Sequence, residues 1–176
     1  MLGEALTNND GREFQKALKL RCPDAKVLYF HNRAGNAAGL EVLKAVTKAN
    51  QVIIVVYVVH TGIRQVVVKG KLKTAFGPMG PSGRLLEDLL EVAPEKTAVI
   101  ALGSPYLIES FPQIQTYICT YAMATTSEIS AVRALFGEIQ NHAKLPVTLP
   151  GVAPRGFSLR WPTQERRNGS IPATTP

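Results

Sequence analysis

The chain has 176 residues, 45% of them hydrophobic and 19% charged, with a formal net charge of +7. That length carries one domain with a proper core but excludes a complete (β/α)8 barrel, which takes about 250 residues. No apolar run approaches the roughly 18 residues that span a bilayer, so no membrane partner is expected; the opening residues lack both the basic segment and the apolar stretch of a secretory leader, and the chain as given reads as cytoplasmic.

Residues 1–11 are polar, end in Asn9-Asp10-Gly11, and read as a flexible lead-in. From Arg12 to Arg21, Phe14, Ala17, Leu18 and Arg21 recur at helical spacing, which predicts an amphipathic helix stopped before Pro23. Lys26 to His31 is a short strand, and His31-Asn32-Arg33-Ala34-Gly35-Asn36 is the polar loop that follows it. Such a loop sits where ligand contacts gather at the carboxyl edge of a parallel sheet, although an ordinary βα turn would look the same. Ala37 to Ala49 forms a second helix burying Val42, Leu43, Val46 and Ala49. Val52 to Val59 is the most apolar segment of the chain, and only a strand covered on both faces tolerates such a run.

Between His60 and Pro81 the alternation breaks. Val66-Val67-Val68 can form an extra strand, flanked by Arg64, Lys69, Lys71 and Lys73, before Phe76-Gly77-Pro78-Met79-Gly80-Pro81. A long excursion at the exit of a central strand is where a functional loop belongs. Ser82 is positioned to cap a helix whose Leu85, Leu86, Leu89 and Leu90 share one face until Pro94. Thr97 to Leu102 reads as another doubly buried strand, ended by Gly103 and Pro105. Thr116 to Tyr121 is a further apolar run. Thr125 and Glu128 have the spacing of a capping box, ahead of Ile129, Val132, Phe136 and Ile139 on one helical face. Leu145 to Gly151 is a Pro-bounded edge strand. Of the remaining tail, Arg155 to Trp161 reads as partly packed and 162–176 as disordered. Helices alternating with apolar strands predict an α/β fold, a three-layer α/β/α sandwich on a mostly parallel sheet of about five or six strands with right-handed crossovers.

Four pieces, Thr97 to Leu102, Gly103-Ser104-Pro105-Tyr106, Ala134 to Ile139 and Leu145 to Pro150, occur in this order with Thr116 to Tyr121 between them. Together they resemble the carboxyl-terminal α/β domain of glycoside hydrolase family 3, particularly bacterial beta-N-acetylhexosaminidase and beta-glucosidase-like members. The resemblance extends back to about Arg12 and places the domain over 12–161. It implies a domain that packs against a catalytic barrel, here supplied by a separate chain or lost from the gene model. The family's nucleophilic aspartate lies in that barrel and maps onto no residue of this chain. In beta-glucosidase-like members the loop after the central strand carries an acid/base glutamate, but no carboxylate occurs between Glu41 and Glu87. In the beta-N-acetylhexosaminidase subgroup a barrel histidine takes that role, and this pattern fits better. The resemblance therefore implies hydrolysis of O-glycosyl bonds by the parent enzyme, and no catalytic residue in this chain.

Other chemistry is thin. Cys22 and Cys119 have no CxxC partner and no histidine at ligand spacing, so reduced thiols are expected, with no metal and no cofactor. Ser104 is followed by proline rather than set in a nucleophile elbow. Glu109, Glu128 and Glu138 have structural readings as near-strand, capping and solvated helix residues. The candidates for contact with substrate or partner are therefore loop residues: His31, Asn32, Arg33, His60, Arg64, Ser104 and Tyr106. Partners in view are the barrel, beta-linked amino sugars or glucosides, and a second copy of the chain. A basic strip from Arg64 to Lys73 suits polyanions, but without interleaved aromatics or a reading helix it argues against a nucleic-acid module. A non-catalytic carbohydrate-binding or protein-interaction module is the competing reading.

Overall fold

A run such as Val52-Ile53-Ile54-Val55-Val56-Tyr57-Val58 has no polar face to turn to water, so it forms the middle of a sheet with helices on both sides. The computed structural model describes residues 1–176 except 4, 5, 8, 59–63, 69, 70, 140, 141 and 160–176, and for 64–68 and 71–75 the backbone. The elements in order are β1 (Leu2–Gly3), α1 (Arg12–Lys19), β2 (Phe30–His31), α2 (Gly35–Lys48), β3 (Val52–Val58), β4 (Arg64–Val68), β5 (Lys71–Ala75), α3 (Gly80–Val92), β6 (Thr97–Gly103), α4 (Leu107–Ser110), β7 (Thr116–Cys119) and α5 (Thr125–Leu135). Five strands make one sheet in the order β2-β1-β3-β6-β7, all parallel, while β4 and β5 form a separate antiparallel hairpin. This is the expected α/β sandwich. Among the described residues, no helix is long and apolar enough to cross a membrane.

Strand alternation divides the core into two halves. Val52, Ile54, Val56 and Val58 of β3, with Val99 and Ala101 of β6, pack against Val46 of α2 and Leu85, Leu86, Leu89 and Leu90 of α3. Val55 and Tyr57, with Ile100 and Leu102, face Phe14, Ala17 and Leu18 of α1 and Ala131 and Val132 of α5. The leucine quartet of α3 is buried as its spacing predicts. On α5 the buried face is Glu128, Ala131 and Val132, whereas Ile129 is exposed, so the expected stripe is rotated by about one residue.

Four local expectations are corrected. The first is the lead-in: Leu2 and Gly3 form β1 in the interior of the sheet, with Leu2 opposite both Phe30 and Val56. The second is the capping box. The N-cap of α5 is Ala124, with no side-chain bond. Glu128 reaches across to α1, accepting the N–H groups of Gly11 at 3.0 Å, Glu13 at 3.1 Å and Phe14 at 2.9 Å. The first turn of α1 has no cap of its own, and a carboxylate there satisfies orphan donors and complements the helix dipole. Third, Leu145 to Gly151 is not a strand; it makes a single bridge, Leu149 with Ala153, and its bonds close a local turn rather than joining the sheet. Fourth, the stretch expected to pack at 155–159 is exposed, although Leu145 and Phe157 are tied by a 2.8 Å backbone bond. Trp161 and the tail 162–176 lie outside the described residues. The strand expected over Lys26 to His31 is assigned only at Phe30–His31, since only there does a neighbouring strand pair with it.

Candidate functional site

In a parallel sheet all the strands end at one edge, and that edge collects the loops. Here Gly3 lies opposite His31 and Val58 opposite Gly103, so the segments after β1, β2, β3 and β6 leave side by side. At the end of β6, Gly103 has φ of +111°, and a Cβ placed there would lie 2.5 Å from the Val58 carbonyl oxygen. Only glycine fits this turn. Ser104 follows and is buried. Its Oγ accepts the Tyr106 N–H at 3.4 Å, while the Pro105 carbonyl accepts the Tyr117 hydroxyl at 3.0 Å. Ser104 therefore shapes the turn.

Tyr106 is half-buried and stacks on Phe76, ring centroids 4.9 Å apart at an interplanar angle of 29°. The Phe76 N–H in turn donates to Ser110 Oγ at 2.8 Å, which ties the chain leaving the hairpin to α4. One face of the Tyr106 ring is thus occupied by protein.

The loop after β2 is built into the next helix. Asn32 Oδ1 accepts the Ser82 N–H at 2.9 Å, so Asn32, fifty positions away, caps the first turn of α3. Ser82, expected to cap, instead lies inside the helix, where its buried hydroxyl donates to the Gly3 carbonyl at 2.8 Å. A Cβ at Gly80 would meet the Asn32 amide at 3.6 Å, and Gly80 has φ of +66°, so this joint is close and specific. His31 Nδ1 accepts the Arg33 N–H at 3.2 Å, which leaves Nε2 to carry the proton of the neutral ring. Arg33 itself is exposed.

Five of the seven candidates are thus placed at the carboxyl edge, His31, Asn32 and Arg33 after β2, and Ser104 and Tyr106 after β6. Of Arg64 only the backbone is described, at the start of β4. His60 lies outside the described residues. Asn32 and Ser104 have structural duties, while Arg33 and part of Tyr106 face outward.

Three neighbours carried no sequence signal of their own. Phe76 stood in the Gly/Pro-rich loop but without a partner to suggest stacking. Tyr121 and Met123 are exposed at 41% and 43%, and Met123 Cγ lies 3.4 Å from where a Gly103 Cβ would be. Tyr121 adopts a left-handed φ of 58°. Glu109 Oε1 is enclosed without a hydrogen-bond partner among the described residues, and desolvation pushes its carboxyl up from the usual carboxylate range. Burial likewise raises the thiol of Cys119, which is free, as is Cys22.

Chemically this edge offers a cation at Arg33, a ring nitrogen at His31 and aromatic surface at Tyr106 and Tyr121. Among the described carboxylates, Glu128 is engaged with α1, Glu138 with Arg21, Glu41 with Lys26 and Glu13 with Lys16, while Glu109 stands on α4, three residues past Tyr106. No group of three metal-ligating side chains occurs among the described residues.

No protein-family model matches the chain, and no curated protein matches it. Among solved structures, it is similar to a fungal multi-domain GH3 beta-N-acetylglucosaminidase that has a GCN5-related glucosamine N-acetyltransferase region, at a TM-score of 0.65 and 21% identity over 88% of this chain. The chain spans 16% of the length of that protein, so the likeness establishes that this fold occurs within a multi-domain GH3 enzyme.

Proposed function

We propose that this chain is the carboxyl-terminal type of domain of a family 3 glycoside hydrolase, serving a beta-N-acetylhexosaminidase-like parent and inactive on its own. The reading rests on one conjunction. A parallel α/β/α sandwich of a kind found within a GH3 enzyme carries, after β6, the Gly103-Ser104-Pro105-Tyr106 turn that the family resemblance singles out. That turn is held by the buried Ser104, and its outward groups, with Arg33 and His31, suit docking or sugar contact rather than bond cleavage, which in most glycosidases takes two flanking carboxyl groups. The domain extends over 12–161 together with β1. Its partner is a family 3 barrel on another polypeptide or another part of a longer one, and beta-linked amino sugars or glucosides are met at their common edge.

The test has two arms. The purified chain should not hydrolyse aryl beta-N-acetylglucosaminides or beta-glucosides, and it should bind a separately produced family 3 barrel through the Arg33 and Tyr106 edge. Turnover that follows the protein through purification would refute the role. Sugar binding without barrel binding would instead favour the non-catalytic carbohydrate-binding module.

A second reading is kept because the similar protein includes a glucosamine N-acetyltransferase region. The all-parallel sheet and the turn after β6 support the glycosidase-associated reading. Transfer of an acetyl group from acetyl-coenzyme A to glucosamine by the purified chain would reverse that preference.

A further inference from the structure

The sheet has a hole in it. β3 pairs with β6 along its whole length, from Val52 opposite Thr97 to Val58 opposite Gly103, yet on its other side the short β1 meets it only at Leu2 opposite Val56. Beyond that pair lies a trench of about 770 Å³, flanked by Val52–Val55 on one side and Lys26–Leu28 on the other. Phe14 and Leu18 of the α1 layer and Val46 and Leu85 of the α2/α3 layer all line it. Side chains from opposite layers of a sandwich share a cavity only where the sheet between them is interrupted.

Continuing the observed register fixes what the trench would hold. Leu2 lies opposite Val56 and Phe30, so Met1 stands opposite Val55 and Tyr29, and three residues before it fall opposite Ile54, Ile53 and Val52 on one side and Leu28, Val27 and Lys26 on the other. These are the residues that flank the trench. At about 3.3 Å per residue the added run is about 10 Å long. Met1 already behaves as an interior strand residue. Its nitrogen donates to the Leu28 carbonyl at 2.8 Å and its carbonyl accepts the Phe30 N–H at 2.9 Å, the two bonds of a parallel ladder.

We infer that the trench is the seat of three to four further residues of apolar β-strand joined to the Met1 nitrogen, extending β1 between β3 and the Lys26–Leu28 segment. A peptide N–H at Met1 would keep the bond to Leu28. A strand from a second polypeptide would have to bury a carboxylate against an ammonium group at that point, which makes the continuous strand the better occupant. The residues opposite Ile54 and Val52 would face the α2/α3 layer and the one opposite Ile53 the α1/α5 layer, so all three would be apolar. This also accounts for the short β2: Lys26–Leu28 has the sequence of a strand and lacks its neighbour.

The test is to produce the full chain with Val-Ile-Val-Val preceding Met1, beside a Gly-Ser-Gly-Ser extension and the unextended chain with the free Val-Ile-Val-Val peptide added. Val52 donates to Lys96 on the β6 side, so alternation turns the N–H groups of Ile53 and Val55 toward the trench. In the apolar extension the amides of Ile53, Val55 and Leu28 should exchange at least about tenfold more slowly, with a raised Tm. Equal protection by the Gly-Ser extension, or none by the apolar one, would overturn the inference. Protection by the free peptide but not by the fused one would assign the trench to a second polypeptide and overturn it as well.

Discussion

The Tyr57 hydroxyl donates to Glu128 Oε1 at 2.7 Å, inside the seam between β3 and the α1/α5 layer. Through that oxygen and its neighbour, one buried carboxylate joins the central strand, the start of α1 and the helix α5 that carries it. Desolvation first, and then the bond to Glu128, push the Tyr57 phenol far above its ordinary range, so it remains a donor at all working pH values.

Replacing Glu128 with Gln leaves one acceptor oxygen where four donors converge and turns an amide N–H toward the others. Hydrogen bonds to charged groups contribute about 1.5–3 kcal/mol each, so Glu128→Gln should destabilise by about 2–4 kcal/mol and Tyr57→Phe by about 1–2 kcal/mol. The double-mutant cycle should show coupling of at least about 0.5 kcal/mol. Urea unfolding measures all three; a Glu128→Gln cost within error of zero would mean that the carboxylate does not hold α1.

Asn32 is expected to act at a distance along the chain. Asn32→Ala removes the acceptor for the Ser82 N–H and should cost about 1 kcal/mol, with Asn32→Asp retaining most of the stability. Amide exchange in the first turn of α3 should quicken in the alanine variant. An unchanged first turn would show that water replaces the cap, leaving Asn32 free for contact work.

Sequence reading reached the parts of this fold that are buried by contiguous pattern. Val52–Val58 and Thr97–Gly103 are apolar because both faces are covered, and Leu85, Leu86, Leu89 and Leu90 repeat at helical spacing. It missed what depends on a partner far along the chain. Leu2–Gly3 is a strand only because Phe30 and Val56 flank it; two residues carry no period. Thr125 to Glu128 looks like a local cap, but the helix N–H groups Glu128 serves are more than a hundred positions away. At the edge, the loops after β2 and β6 were legible as loops, while the engagement of Asn32 by α3 and of Tyr106 by Phe76 follows from tertiary packing.

Gly103 tests how rigid the edge is. Gly103→Ala forces a Cβ to 2.5 Å from the Val58 carbonyl at a φ of +111°, and should cost more than about 2 kcal/mol. Gly39→Ala is the control, since its Cβ would lie 3.6 Å from Phe30 in ordinary contact; in a helix it should be neutral or stabilising by up to about 1 kcal/mol. Comparable effects at the two positions in thermal unfolding would show that the turn yields.

The buried amino terminus should leave a signature in the pH dependence of stability. Desolvation lowers the Met1 ammonium from 8.0 to about 6 in the folded protein. Between those values the unfolded chain holds a proton that the folded chain has released, so stability rises with pH across that interval. Below about 6 both states are charged and the burial penalty is fully present; above about 8 both are neutral and it is gone. Two pH units at 1.36 kcal/mol each give a gain of about 2–3 kcal/mol from pH 6 to 8. Acetylating the Met1 nitrogen removes the charge, so the difference between free and acetylated chains isolates this group from the histidines and from Asp24, Lys26 and Lys48, which also line the trench. Parallel stability curves for the two forms between pH 5.5 and 8.5, measured by urea titration, would show that water reaches the amine and that Met1 does not sit in the sheet as an interior residue.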